Sequence, residues 1–113
     1  MKQITAIFRP HRLEQVEQAL HALPNLPGFT LHAARGHARG HGAEHQFTPD
    51  EWNPDSHDKL VLVMFCADDD AMEMLNVICR AARTGNAGDG MVAMTELVDL
   101  VRIRTGERGD AAA

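Results

Sequence analysis

Three histidines stand four residues apart in the stretch GHARGHGAEH: His37, His41 and His45. Imidazole suits nickel, copper and zinc, so the series is a candidate site for a divalent transition metal. A helix would place the three on one face and let neighbouring pairs chelate. Gly36, Gly40 and Gly42 oppose a stable helix. An extended strand would set successive histidines about 13 Å apart, too far for a pair to share an ion. A site would therefore need a folded loop with Glu44 or Asp50, or histidines from several chains. The competing reading is a solvated loop whose neutral histidines meet a partner or titrate near pH 6–7.

Two further stretches could handle an anion. TGNAGDGM, Thr84 to Met91, lacks the Lys-Ser/Thr pair of a Walker loop. It also runs from helix to strand, the reverse of the order in dinucleotide folds. It reads either as a helix C-cap at Gly85 followed by a tight turn, or as a nest of backbone N–H groups at Gly88, Asp89 and Gly90 close enough to touch phosphate oxygens. RIRTGER favours the second reading. On a strand, Arg102 and Arg104 would share one face about 7 Å apart, with Ile103 turned to the core. Two such guanidiniums suit a di- or triphosphate, because each can fork onto two oxygens. No nucleophile–base–acid arrangement emerges, and the acidic run at residues 68–70 reads as a helix start, so no enzyme is expected.

The bulk composition sets the limits. At 113 residues the chain has the length of one modest domain, and it is 44% hydrophobic with four Phe, one Trp and no Tyr. Such a core is small, and small domains often gain burial by oligomerising. A net charge of −5 argues against nucleic acid or an anionic membrane as partner. Cys66 and Cys79 form neither a disulfide framework nor a Cys-x-x-Cys pair and read as buried thiols. With no secretory segment and no apolar run of spanning length, a soluble cytoplasmic protein without membrane insertion is expected.

The elements that must position these residues follow from periodicity. QITAIFR alternates, with Ile4, Ala6 and Phe8 on one face, and reads as a strand closed by Pro10. HRLEQVEQALHAL sets Leu13, Val16, Leu20 and Leu23 at helical spacing. FTLHAA is a second strand. From Gly36 to Asp58 the pattern vanishes, over a length that in compact domains is functional or disordered. KLVLVMFCA is a strand so apolar that both its faces should be covered. DDDAMEMLNVICRAAR opens with acidic residues suited to a helix N-terminus and places Met72, Leu75, Ile78, Cys79 and Ala82 on one face. MVAMTEL and the strand-like LVRIR follow. The expected class is α+β: a ferredoxin-like split βαβ (βαββαβ) with an antiparallel sheet and two helices on one face.

Residues 1–113 as a whole resemble the PII signal-transduction family. MKQITAIFRPHRLEQVEQALHAL resembles its first strand and helix, and GFTLHAARGHARG its second strand. AARTGNAGDG, followed by RIRTGERG, is the specific part. The resemblance implies a homotrimer with adenine-nucleotide sites in inter-subunit clefts. It also implies a T-loop over residues 37–58 that docks on a protein target, a B-loop over 84–91 and a C-terminal segment over 102–113. Residue by residue, it assigns Thr30 to the adenine side and Gly36, His37, Ala38 and Arg39 to the T-loop entry near the phosphates. Thr84, Gly88, Asp89, Gly90 and Met91 match the B-loop, and Arg102 and Arg104 the arginines given across the cleft. Lys59 matches the lysine that pairs with 2-oxoglutarate.

The departures from the family pattern carry as much information. Met91 stands where relatives have a lysine that reaches the phosphates, so ADP or AMP is expected to rival ATP. Gly40 replaces the Mg²⁺-ligating glutamine, which weakens the case for Mg²⁺ dependence and for 2-oxoglutarate sensing. With no Tyr, tyrosine uridylylation is excluded. Two functions stay open: a nucleotide-gated regulator acting on a transporter or enzyme through the T-loop, and a metal-responsive sensor or buffer linked to efflux, with nucleotide secondary.

Overall fold

A computed structural model of the chain describes residues 1–36 and 58–113. Its elements are β1 (Lys2–Phe8), α1 (Leu13–His21), β2 (Phe29–Arg35), β3 (Asp58–Cys66), α2 (Asp68–Ala82) and β4 (Gly90–Glu96). The four strands form one antiparallel sheet in the order β2-β3-β1-β4. This is the expected βαββαβ arrangement.

Alternation along β1 decides which way the sheet faces. Ile4, Ala6 and Phe8 are buried and join Leu62, Met64 and Cys66 of β3, Val16 and Leu20 of α1, and Ala71, Met74 and Ile78 of α2 in one core. Pro10 at the start of the turn preceding α1 fixes its entry angle. Three aspartates open α2, where carboxylates meet the positive end of the helix dipole. Its other end is closed by Arg12, whose Nε and Nη2 donate to the Ala81 carbonyl oxygen at 3.1 and 2.7 Å. One side chain thereby ties both helices together.

Four sequence expectations are corrected. The buried face of α2 runs through Ala71, Met74, Val77, Ile78 and Ala82, whereas Met72 is 59% exposed and Leu75 lies at the boundary. The observed face is turned by about one residue from the expected one: it keeps Ile78 and Ala82 and takes in Ala71, Met74 and Val77 in place of Met72, Leu75 and Cys79. Cys79 consequently lies on the surface, while Cys66 is buried. Among the described residues, helices cover β3 on one side only. Val61, Val63 and Phe65 face the opposite side and are half-buried, with no layer over them among the described residues. Finally, LVRIR is not a strand. Val101 bridges to Arg108, the Arg102 N–H donates to the Glu107 carbonyl at 2.9 Å and the Gly106 N–H to the Arg102 carbonyl at 2.8 Å. The segment is a tight hairpin turning through residues 103–105, and Ile103 is fully exposed rather than in the core.

The two thiols give a simple check of these placements. In the native protein Cys79 is expected to react promptly with an aromatic disulfide reagent. Cys66 should stay silent until unfolding, since it is enclosed and its thiol is pushed up by burial. Two fast thiols would show that β3 or α2 sits otherwise.

Candidate functional site

The turn between α2 and β4 is built around one carboxylate. Asp89 accepts hydrogen bonds from the Thr84 N–H at 2.8 Å and the Gly85 N–H at 2.9 Å. It also accepts from the Thr84 hydroxyl and from Arg9 Nε at 3.3 Å. The Thr84 hydroxyl, then the Thr84 and Gly85 amides and the Arg9 guanidinium, hold this carboxyl well below the usual carboxylate range against the opposing effect of burial. Thr84 in turn accepts from the Asn86 N–H at 3.2 Å. Asp89 thus shapes the loop from inside.

Glycine is required twice in this turn. Gly90 has φ +105°, and a Cβ there would overlap the Ile7 carbonyl oxygen outright and sit 2.7 Å from its carbon. That closeness is how β4 docks against β1. Gly88 has φ +90°, and a Cβ there would lie 2.9 Å from Arg9 Nη2 and 3.7 Å from Lys59 Nζ. A side chain at Gly88 would therefore be directed at the Arg9 guanidinium and toward the Lys59 amine.

Those cations come from the side of the sheet opposite α1 and α2. Lys59 follows the parity of Val61, Val63 and Phe65 on β3, and Arg9 that of Thr5 and Ile7 on β1. Continuing the register by one residue beyond Phe8 puts Arg9 opposite Lys59 on one side and Asp89 on the other. Arg9 Nη2 donates to the Ala87 carbonyl oxygen, and Lys59 Nζ donates to the Gly88 carbonyl oxygen at 2.6 Å. Lys59 is 7% exposed. Burial, with the neighbouring charge of Arg9, lowers its amine below the ordinary lysine value, and Asp89 partly opposes the shift. A cleft of about 570 Å³ opens beside it, lined by Pro10, Ala34, Arg35 and Asp58.

The expected site residues separate into three groups. Thr84, Gly88, Asp89 and Gly90 meet at one end of the sheet, with Lys59 beneath them and Gly36 against the Lys59 stem. Thr30 lies on the open face at the register of Val63 and Thr5, and Met91 is exposed on the edge strand. Arg102 and Arg104 are at the other end. The chain leaves β4 at Glu96, where the Leu97 N–H donates to the Met1 carbonyl, and both arginines are exposed on the hairpin beyond. Seven residues of β4 separate the two ends, about 20 Å at strand rise. His37, Ala38, Arg39, His41 and His45 lie outside the described residues. Among the described residues no group of three His, Cys, Asp or Glu could hold a metal ion. No helix among them is long and apolar enough to cross a membrane.

Arg9 is the residue that sequence reasoning missed. Periodicity places it at the end of a strand, and its only sequence signal is parity: it continues the Thr5, Ile7 face past the last core residue. Its partners are 78 and 80 positions away, which periodicity cannot reveal.

Comparison with known proteins agrees along the chain's length. The family model described as nitrogen regulatory protein P-II matches residues 1–107. The nitrogen regulatory protein GlnK of Escherichia coli strain K12 is 34% identical over 112 residues, covering 99% of both chains. Nitrogen regulatory protein P-II of Rhizobium meliloti is 35% identical over 109 residues, 96% of each. Among solved structures, Arabidopsis thaliana PII bound to citrate superposes with a TM-score of 0.75 at 31% identity, covering 99% of this chain and 91% of that one. The turn at 84–90, the split βαβ sheet that carries it and these matches together place the chain in the nitrogen regulatory P-II family.

Proposed function

We propose that this P-II family member binds adenine nucleotides, ATP, ADP and AMP among them, in clefts between the subunits of a homotrimer. It regulates a transporter or an enzyme through residues 37–58, and it senses 2-oxoglutarate weakly or not at all. One observation supports this reading: the glycine turn and the arginine pair, both suited by their chemistry to an anion, lie at opposite ends of the same sheet. The glycine turn has N–H groups to offer at one end, and Arg102 and Arg104 have no acidic partner among the hydrogen bonds and ion pairs of the described residues at the other. A phosphate chain meeting both would need the turn of one subunit and the hairpin of its neighbour. The face of the sheet opposite the helices, with Val61, Val63 and Phe65 half-buried and no layer over it among the described residues, offers the apolar surface that such an assembly would cover. In this arrangement Thr30 lies toward the adenine. Gly88, Asp89 and Gly90 bring backbone to the phosphates, and Met91 contributes no charge.

Calorimetry with ATP, ADP and AMP, with and without Mg²⁺ and 2-oxoglutarate, tests the reading. ADP and ATP are expected to bind with similar affinity. Arg102→Ala and Arg104→Ala should each weaken binding about tenfold or more, the loss of a charge-assisted hydrogen bond being about 1.5–3 kcal/mol. Tight 2-oxoglutarate binding that requires Mg-ATP, or nucleotide affinity indifferent to both arginines, would overturn it. A metal-responsive role rests on the spacing of His37, His41 and His45 alone. Titrating Ni²⁺, Cu²⁺ and Zn²⁺ in the same experiment decides whether metal alters nucleotide affinity.

A further inference from the structure

Arg9 and Lys59 each spend a donor on a backbone carbonyl of the turn, that of Ala87 and that of Gly88. Their geometry matters through the peptides they hold. Every peptide bond here is trans, so the carbonyl of one residue and the N–H of the next point in opposite directions. Arg9 draws the Ala87 carbonyl toward the sheet, which turns the Gly88 N–H away from it. Lys59 draws the next carbonyl, that of Gly88, the same way. The N–H groups of Ala87 and Gly88 donate to no described residue, whereas those of Thr84, Gly85 and Asn86 are all consumed within the turn. Arg9 thereby orients the Gly88 N–H and Lys59 that of Asp89, and neither N–H donates to a described residue.

We infer that Arg9 and Lys59 are positioning residues for the phosphate nest: by fixing the carbonyls of Ala87 and Gly88 on one side of the turn, they hold the N–H groups of Gly88 and Asp89 outward as donors to phosphate oxygen. Three observations converge on this assignment. The two cations are adjacent across β1 and β3, so the turn rests on both together. Gly88 has φ +90° and no Cβ, and a Cβ there would press on Arg9 Nη2 at 2.9 Å. Asp89 anchors Arg9 from the opposite side at 3.3 Å, so the guanidinium is held at two points. Backbone donors set in this way need no reorganisation when an anion arrives, and preorganisation of that kind favours affinity. The arrangement also accounts for a nest that functions with Met91 beside it, since the nearby positive charge acts through the backbone rather than through a side chain reaching the ligand.

The inference rests on the nucleotide reading above, and the test separates the two. In wild-type protein, titration with pyrophosphate is expected to shift the Gly88 backbone amide resonance. A Gly88 amide that ignores pyrophosphate overturns the inference, whatever nucleotides do. If pyrophosphate moves Gly88 while neither ADP nor adenosine binds, the nucleotide reading fails and the nest stands. In Arg9→Met and Lys59→Met, affinity for pyrophosphate and ADP should fall about tenfold or more, the scale of one lost hydrogen bond. Adenosine affinity should stay within about twofold. Arg9→Lys, which keeps a cation on the Ala87 carbonyl, should recover part of the loss. Parallel losses for ADP and adenosine, or unchanged pyrophosphate affinity in both methionine variants, would show that the two cations merely support the fold. Should Arg9→Met fail to fold, Lys59→Met, truncated without touching Asp89, carries the same readout.

Discussion

Gly90→Ala is expected to lower the melting temperature by more than about 10 °C. Two costs combine at this position. A non-glycine residue at φ +105° is strained by about 1–3 kcal/mol. The added methyl would also overlap the Ile7 backbone, which cannot move aside as a flexible side chain could. The pairing of Phe8 with Gly90 closes the β1–β4 ladder, so relief requires the edge strand to part from the sheet at this end. At about 4–8 °C per kcal/mol for a small domain, a loss beyond about 3 kcal/mol should be plain in a thermal melt. Gly28→Ala is the control. No atom lies within 4 Å of where its methyl would sit and its φ is not positive, so stability should change by less than about 1 kcal/mol. A Gly90→Ala protein melting like wild type would mean that β4 does not approach β1 as described.

Phe8→Ala is expected to cost about 3–5 kcal/mol, the range for emptying an aromatic site in a packed core. Phe8 is 1% exposed, and it is the last residue of β1 that faces the helices before Arg9 turns to the other side. The cavity would therefore open directly beneath the turn at 84–90. Met72→Ala supplies the contrast, because that side chain is 59% exposed and its truncation should change stability by no more than about 0.5 kcal/mol. The pair can be read by denaturant unfolding. A Met72→Ala variant as unstable as Phe8→Ala would mean that α2 is rotated on the sheet.

Much of the fold was legible because period-2 and period-3.6 patterns are local. Ile4, Ala6 and Phe8 alternate with polar residues, and Pro10 punctuates the strand, so β1 and its inward face follow without knowledge of neighbours. The α2 helix was legible as a helix but not in phase, because Met72 and Cys79 are as apolar as the residues that face the core. Only contact with the sheet selects Ala71 and Met74. LVRIR shows a different limit. Its β-branched residues suit a strand, yet no described strand edge pairs with it, and the turn at residues 103–105 folds it back on itself. In the candidate site, the glycine turn was visible because glycine at tight spacing has few structural uses. The inward role of Asp89 and the part of Arg9 were not, since both depend on hydrogen bonds that spacing does not encode, those of Arg9 spanning most of the chain. The spacing of Arg102 and Arg104 said nothing about which end of the sheet they occupy.

That last separation links binding to dilution. If the glycine turn and the arginine hairpin, about 20 Å apart on one chain, complete each other only between chains, then the ligand binds the assembled state and not the isolated one. Mass action makes such a ligand stabilise the assembly by the same free energy with which assembly strengthens binding. Apparent nucleotide affinity would then rise with protein concentration up to the point where every chain is assembled, and nucleotide would slow subunit exchange. The adenylate pool would set how long one set of subunits stays together, and so how long a given message persists.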